Sequence, residues 1–206
     1  METFLTSIFL FLHISSGYLA LSSGTLIMFL RKGESWHKKL GLLFYWSMWG
    51  VVVSSTFISL WKNIPFLFFM GNFVFYQNYS GRRVLKNKLQ IPDFWDYLVL
   101  VFATVNGIAM VYTLNIVLSV FGILTLFLVF TDIQTIVKVK RNISLHPKAW
   151  LSKHLGMMMG AYIGTLTAFI VVNVNDFSPV WLLWLAPTFL LVPLMRYWNW
   201  KFIRNS

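Results

Sequence analysis

The stretch VYTLNIVLS, residues 111–119, separates two long apolar runs, Trp95–Tyr112 and Ile116–Val137. A single helix over 95–137 would be about 60 Å long at about 1.5 Å per residue, twice a hydrocarbon core of about 30 Å. Two crossings joined by a turn at Thr113–Asn115 fit the bilayer. This choice sets the number of spans, and with it the side on which every loop emerges.

Working outward, five more apolar runs have spanning character: 4–30, 40–60, 64–79, 155–174 and 180–197. The third is short and rich in aromatic residues. Lys and Arg gather between the runs. Arg31, Lys32, Lys38 and Lys39 follow the first. Arg82, Arg83, Lys86 and Lys88 follow the third, and Lys138, Lys140, Arg141, Lys148 and Lys153 follow the fifth. Arg196, Lys201 and Arg204 close the chain, and only Lys62 falls elsewhere. With seven spans all four clusters emerge on one side, which the positive-inside rule makes the cytoplasm. With six they would be split. The expected fold is therefore an all-α membrane protein: one integral domain over residues 1–206, a seven-transmembrane-helix bundle, N-terminus outside and C-terminus cytoplasmic. The stretch METFLTSIFLFLH lacks the basic start of a cleaved signal, so the first run reads as a retained helix.

Composition agrees. Of the 206 residues 58% are hydrophobic and 11% charged, against about 45–50% apolar for a soluble domain. A net charge of +11 would suit nucleic acid, but the clustering between apolar runs makes it a topology signal, and the expected partner is the lipid bilayer. Cysteine is absent, which excludes disulfide, thiolate and iron–sulfur chemistry. No Walker loop, dinucleotide glycine motif or HExxH is present.

Small residues are patterned. Gly156, Gly160, Gly164 and Ala168 recur every fourth residue in the sixth span, and His13, Gly17, Ala20 and Gly24 share a face of the first. Such stripes let helices approach closely in lipid. The expectation is helix packing at Gly17, Gly24, Gly41, Gly156, Gly160 and Gly164, with His13 turned toward a neighbouring helix near mid-membrane.

Ionisable side chains inside spans are costly and mark candidate sites. His37 opens the second span and His154 the sixth, at equal depth. Asp132 lies in the same layer of the fifth, and Tyr45 and Tyr162 lie two turns deeper. Two imidazoles can ligate a haem iron. Two imidazoles and a carboxylate, His37, His154 and Asp132, can hold zinc or non-haem iron. The plainer reading makes both histidines part of the polar collar at helix ends, within SWHKK and WLSKH. His146 beside Pro147 reads as a loop residue, and Asp93 and Asp96 as caps of the fourth helix.

Three motifs carry a resemblance. They are His13-x3-Gly17; Lys32-Gly33-x3-His37-x3-Gly41-x3-Tyr45; and His154-x5-Gly160-x-Tyr162-x4-Thr167-Ala168-Phe169. They resemble a bacterial family of multipass membrane proteins catalogued as a domain of unknown function. That resemblance implies a bacterial cytoplasmic (inner) membrane location. It also implies that His13, His37 and His154 belong to one set. A weaker likeness is to small b-type transmembrane cytochromes, which hold haem between paired histidines on adjacent helices. It implies haem b on His37 and His154, with Tyr45 and Tyr162 lining the pocket, and an electron-transfer or membrane-protein partner; His13, near mid-membrane, is by its placement a further candidate ligand or proton carrier, but no histidine at its depth pairs with it for a second haem. Zinc hydrolases with seven helices use an H-x3-H pair, which is lacking here. Two other functions stay open: a small proton-coupled transporter using His13 and Asp132, and a structural accessory subunit.

Overall fold

The computed structural model describes residues 2–174 and 176–204. Among them are seven α-helices and no strand: α1 (Glu2–Phe29), α2 (Ser35–Trp61), α3 (Pro65–Lys86), α4 (Phe94–Tyr112), α5 (Ile116–Lys140), α6 (Ala149–Asn173) and α7 (Val180–Asn199). A π-helical turn, Trp200–Arg204, follows. The expected turn after Tyr112 is present. Thr113 ends α4, and Asn115 caps α5 by accepting from the amides of Val117 and Leu118.

Six helices, all but α3, are long and apolar enough to cross a membrane. Large apolar side chains on the outside, Phe11, Phe29, Phe189 and Leu190, are 71–85% exposed. Soluble proteins do not leave such faces uncovered, and these mark an integral membrane protein whose outer helices meet lipid.

The third helix departs from expectation. It does not end at 79 but runs to Lys86, and it buries Asn72, Gln77, Asn78 and Ser80. The physical reason is its place. It packs against α2, α4, α5 and α6, so its polar side chains meet protein and it needs no lipid-facing stripe. The other boundaries also differ: α2 starts at Ser35, α5 continues to Lys140 and α6 starts at Ala149. Apolarity marks where lipid ends. Lys and Arg are good helix formers, so helices continue through the collars, and His37 and His154 lie inside the helices rather than ahead of them.

Neighbouring helices alternate in direction, and the four basic clusters meet at one end. Lys32 sits over the Trp198 ring, Lys88 over Trp150 and Lys140 over Tyr97, while Asn199 donates to Ser152 Oγ at 2.8 Å. At the opposite end Phe66 of α3 meets Trp184 of α7. Lys32 also donates to the carbonyls of Ile27, Met28 and Leu30, closing α1. Burial there pulls its ammonium below the ordinary lysine value.

Asp93 and Asp96 form the expected reciprocal cap of α4. Arg83 of α3 grips both, at 2.8 Å to Asp93 and 3.0 Å to Asp96. The Asp96 amide, and then the Arg83 charge, hold the Asp93 carboxyl below its ordinary value. A lowered carboxyl stabilises at neutral pH and loses that contribution as pH falls through and below the ordinary carboxylate range. Arg83→Ala is expected to cost about 1 kcal/mol, read as a Tm lower by about 2–4 °C for a chain of this size. Its Tm should also fall less steeply on acidification. An unchanged Tm and acid profile would count against the clamp.

Candidate cofactor-binding site

α2, α3 and α6 converge at the basic end. His154, just over one turn into α6, points its Nδ1 at the Gly81 carbonyl of α3, 2.8 Å away. A carbonyl only accepts, so Nδ1 carries the proton and donates. The lone pair is then on Nε2. A hydrogen bond that fixes one ring nitrogen and frees the other is how ligating histidines are commonly oriented. Gly81 is glycine because a Cβ there would lie 2.7 Å from Met158 Sδ and 3.1 Å from Met157 Cβ.

His37 lies at the same end, two residues into α2. Its Nδ1 is buried and has no hydrogen-bond partner. A buried polar atom left so costs about 1–3 kcal/mol. One turn further along α2, on the same face, Gly41 has open space where a Cβ would stand. The sequence suggested helix packing for Gly41; no neighbour packs where its Cβ would stand.

Tyr45 lies deeper on this face. Its ring stacks edge-on with Trp46 and Trp49 and receives Arg82, and its carbonyl accepts from Asn78. Tyr162 is directed elsewhere. The Thr25 hydroxyl donates to Leu21 O, so the Tyr162 hydroxyl donates to Thr25 Oγ1, at 2.7 Å. Its ring packs on Gly24. It lines a lipid-facing groove of about 450 Å³ between α1 and α6, rather than the histidine pocket.

Asp132 also parts from the histidines. Its Oδ1 pairs with Lys153 at 2.8 Å, and its Oδ2 accepts from Tyr76 at 2.9 Å. Among the described residues no three His, Asp or Glu side chains gather as a metal would require. The set His37, His154 and Asp132 is thus not assembled, because Lys153 turns to α5 while its neighbour His154 turns to α3.

His13 meets α2 as expected. Ser54 spends its hydroxyl proton on the Gly50 and Val51 carbonyls, so its oxygen accepts from His13 Nδ1 at 3.1 Å. His13 is remote from the basic end: 16 residues separate it from the end of α1 at Phe29, about 24 Å along the helix. It joins neither His37 nor Asp132. His146 is an exposed loop residue whose Nδ1 accepts from the Lys148 amide at 3.2 Å.

Three of the six glycines pack as expected. Gly24 abuts Tyr162, Gly160 abuts Gln77, and a Cβ on Gly164 would lie 2.9 Å from Val74. At Gly17, Gly41 and Gly156 nothing lies within 4 Å of where a Cβ would stand. Each fourth residue turns about 40° round a helix, so Gly156 winds off the α3 seam that Gly160 and Gly164 occupy. On α1 the close contact is made by Ser16, against Gly50, one residue before Gly17.

The sequence reading missed Gly81, Tyr76 and Lys153. Lys153 was legible only as a basic residue next to His154. The Gly81 contribution is a backbone carbonyl and leaves no mark in composition. No protein-family model, no curated protein and no solved structure matches the chain.

Proposed function

We propose that the chain is a membrane electron-transfer protein that holds a b-type haem between His37 and His154. All seven helices would cross a bacterial cytoplasmic membrane, N-terminus outside, with the basic end in the cytoplasm. The supporting observation is the state of the two imidazoles. His154 Nδ1 is committed to Gly81 O, which leaves Nε2 as a ligand nitrogen. His37 has a buried ring nitrogen without a partner. Nothing lies within 4 Å of a Cβ at Gly41, on the face that carries His37. The donor set suits the group, since paired neutral imidazoles are haem-iron ligands. A bound haem iron supplies one-electron exchange. The chain's own part is to orient His154 through Gly81, to shield the pair with Tyr45 and Trp49, and to set Lys32, Lys38 and Lys39 at the same basic end of α1 and α2, where positive charge favours an anionic porphyrin. The orientation rests on the four basic clusters, which hold every Lys and Arg but Lys62, the pattern of cytoplasmic loops.

The test is an absorption spectrum of detergent-purified protein from haem-replete cells, oxidised and then reduced with dithionite. The expected result is a Soret band that sharpens on reduction. A featureless visible spectrum sinks the haem reading and leaves His37 a collar residue.

A further inference from the structure

The groove between α1 and α6 opens to lipid and has no part in the histidine pair. Tyr18, Leu21 and Leu26 of α1 and Tyr162, Leu166 and Phe169 of α6 line a space of about 450 Å³. The size is that of a small-molecule site, about 300–1,000 Å³. Two hydroxyls in its wall ask for no polar occupant. Thr25 donates to the Leu21 carbonyl, and Tyr162 donates to Thr25 Oγ1.

The shape of the groove narrows the choice. From Tyr18 to Leu26 it follows α1 for eight residues, about 12 Å along the helix. Spread over that length, the volume gives a cross-section of roughly 40 Å². A helix about 10–12 Å across fills at least about twice that area. A transmembrane helix, from a partner or a second copy, is therefore too thick to lie inside. An extended hydrocarbon chain is not, and the bilayer supplies such chains on every side.

At its basic end the groove meets charge. α1 ends at Phe29, three residues past Leu26. The Lys32 ammonium donates to the carbonyl of Ile27, the residue next to Leu26, at 2.8 Å. It also sits 4.5 Å over the Trp198 ring of α7. α6 packs against both α1 and α7, so Lys32 is turned toward the side of α1 on which the groove opens. Arg31 stands beside it with its side chain 87% exposed, paired at 3.3 Å with Glu34. So exposed a pair holds weakly and leaves the guanidinium open to a stronger anion. Residues 31–39 carry four cations against that one carboxylate. No Asp or Glu follows Asp176, in the stretch that brings Arg196 and Lys201 to the same end.

We propose that the groove and the basic rim above it bind one anionic phospholipid. An acyl chain lies along α1 and α6, over Tyr162, and the phosphate sits by Arg31 and Lys32. Guanidinium pairs with phosphate through two parallel hydrogen bonds, and basic residues at the ends of membrane helices are the usual seat of anionic headgroups. A zwitterionic lipid offers the same chain but brings a cation of its own to a rim already rich in cations. The groove thus selects for a chain and the rim for net negative charge. The inference does not rest on the histidine reading.

The experiment is native mass spectrometry of the full chain in detergent, given equimolar dioleoylphosphatidylglycerol and dioleoylphosphatidylcholine. The first bound lipid should be phosphatidylglycerol by at least fivefold. Arg31→Gln should lower that preference at least threefold, and Lys138→Gln, at the end of α5 away from the groove, should leave it unchanged. Leu26→Trp puts a larger ring in the groove from a position 54% exposed, and should lower bound phosphatidylglycerol at least fivefold. Gel filtration checks its fold, and Phe169→Trp, from a position 50% exposed, decides if Leu26→Trp fails that check. Equal binding of the two lipids overturns the proposal, as does an unchanged preference in Arg31→Gln. An equal loss in Lys138→Gln overturns it too, because attraction would then be spread over the whole basic end. So does wild-type lipid binding in the groove variant that decides.

Discussion

Replacing His154 by alanine is expected to lower retained haem at least tenfold while leaving the bundle folded. The loss follows from removing one of two ligands, since even the partners that merely orient a ligand are worth roughly 10–100-fold in affinity. The fold should survive because Gly81 O lies within α3, where its helical amide partner remains. The apoprotein cost is therefore a single hydrogen bond, about 1 kcal/mol. The measurement is the ratio of Soret to protein absorbance, with gel filtration as the check on folding. Gly41→Leu supplies a second readout. It puts a bulky side chain one turn from His37, where a Cβ meets nothing within 4 Å, and should also exclude haem. A folded His154→Ala protein with full absorbance would show that His154 is not a ligand.

Gly160→Leu is expected to lower both the yield of folded protein and its Tm. The place of its Cβ is occupied by the Gln77 side chain, which is 1% exposed and has no open side to retreat to. α3 and α6 would have to separate along the central seam of the bundle. Overpacking typically costs about 1–3 kcal/mol and sometimes more, against a total stability of about 5–15 kcal/mol. Pushing apart two helices that each touch several others belongs at the upper end. Gly156→Leu is the internal comparison, one turn away in the same stripe. Its new Cβ meets nothing within 4 Å, so the change should stay within about 0.5 kcal/mol. Detergent-solubilised yield and Tm of both variants check the pair. Equal behaviour would mean that the stripe does not pack on α3.

The contrast between Gly160 and Gly156 shows what spacing alone conveys. Repetition every fourth residue is visible in the sequence, and it correctly signals a close helix contact. It cannot say which members of the stripe face the neighbour, because that depends on where α3 lies and how far the stripe has turned. His37 and His154 follow the same pattern. Their equal depth is readable from the number of residues to each helix end. The Gly81 carbonyl that sets the His154 tautomer belongs to a helix from a different part of the chain, and backbone groups look alike in every sequence.

Asp132 is the sharpest case. Its depth is readable from the chain, and from depth alone it joins the histidine layer. Rotation about α5 directs it instead to Tyr76 and Lys153, on the far side of α3. Length, hydropathy and charge placement by themselves determined the all-α fold, the turn between α4 and α5, and the gathering of basic residues at one end. These are one-dimensional properties: a bilayer has a thickness, and each span either fills it or does not. Only the tertiary structure decided that α3 is the polar centre, and that no neighbour packs on Gly41. It alone also separated Asp132 from His37 and His154. Those outcomes depend on the angle at which each helix faces its neighbours, and that angle is set by packing between segments far apart in the chain.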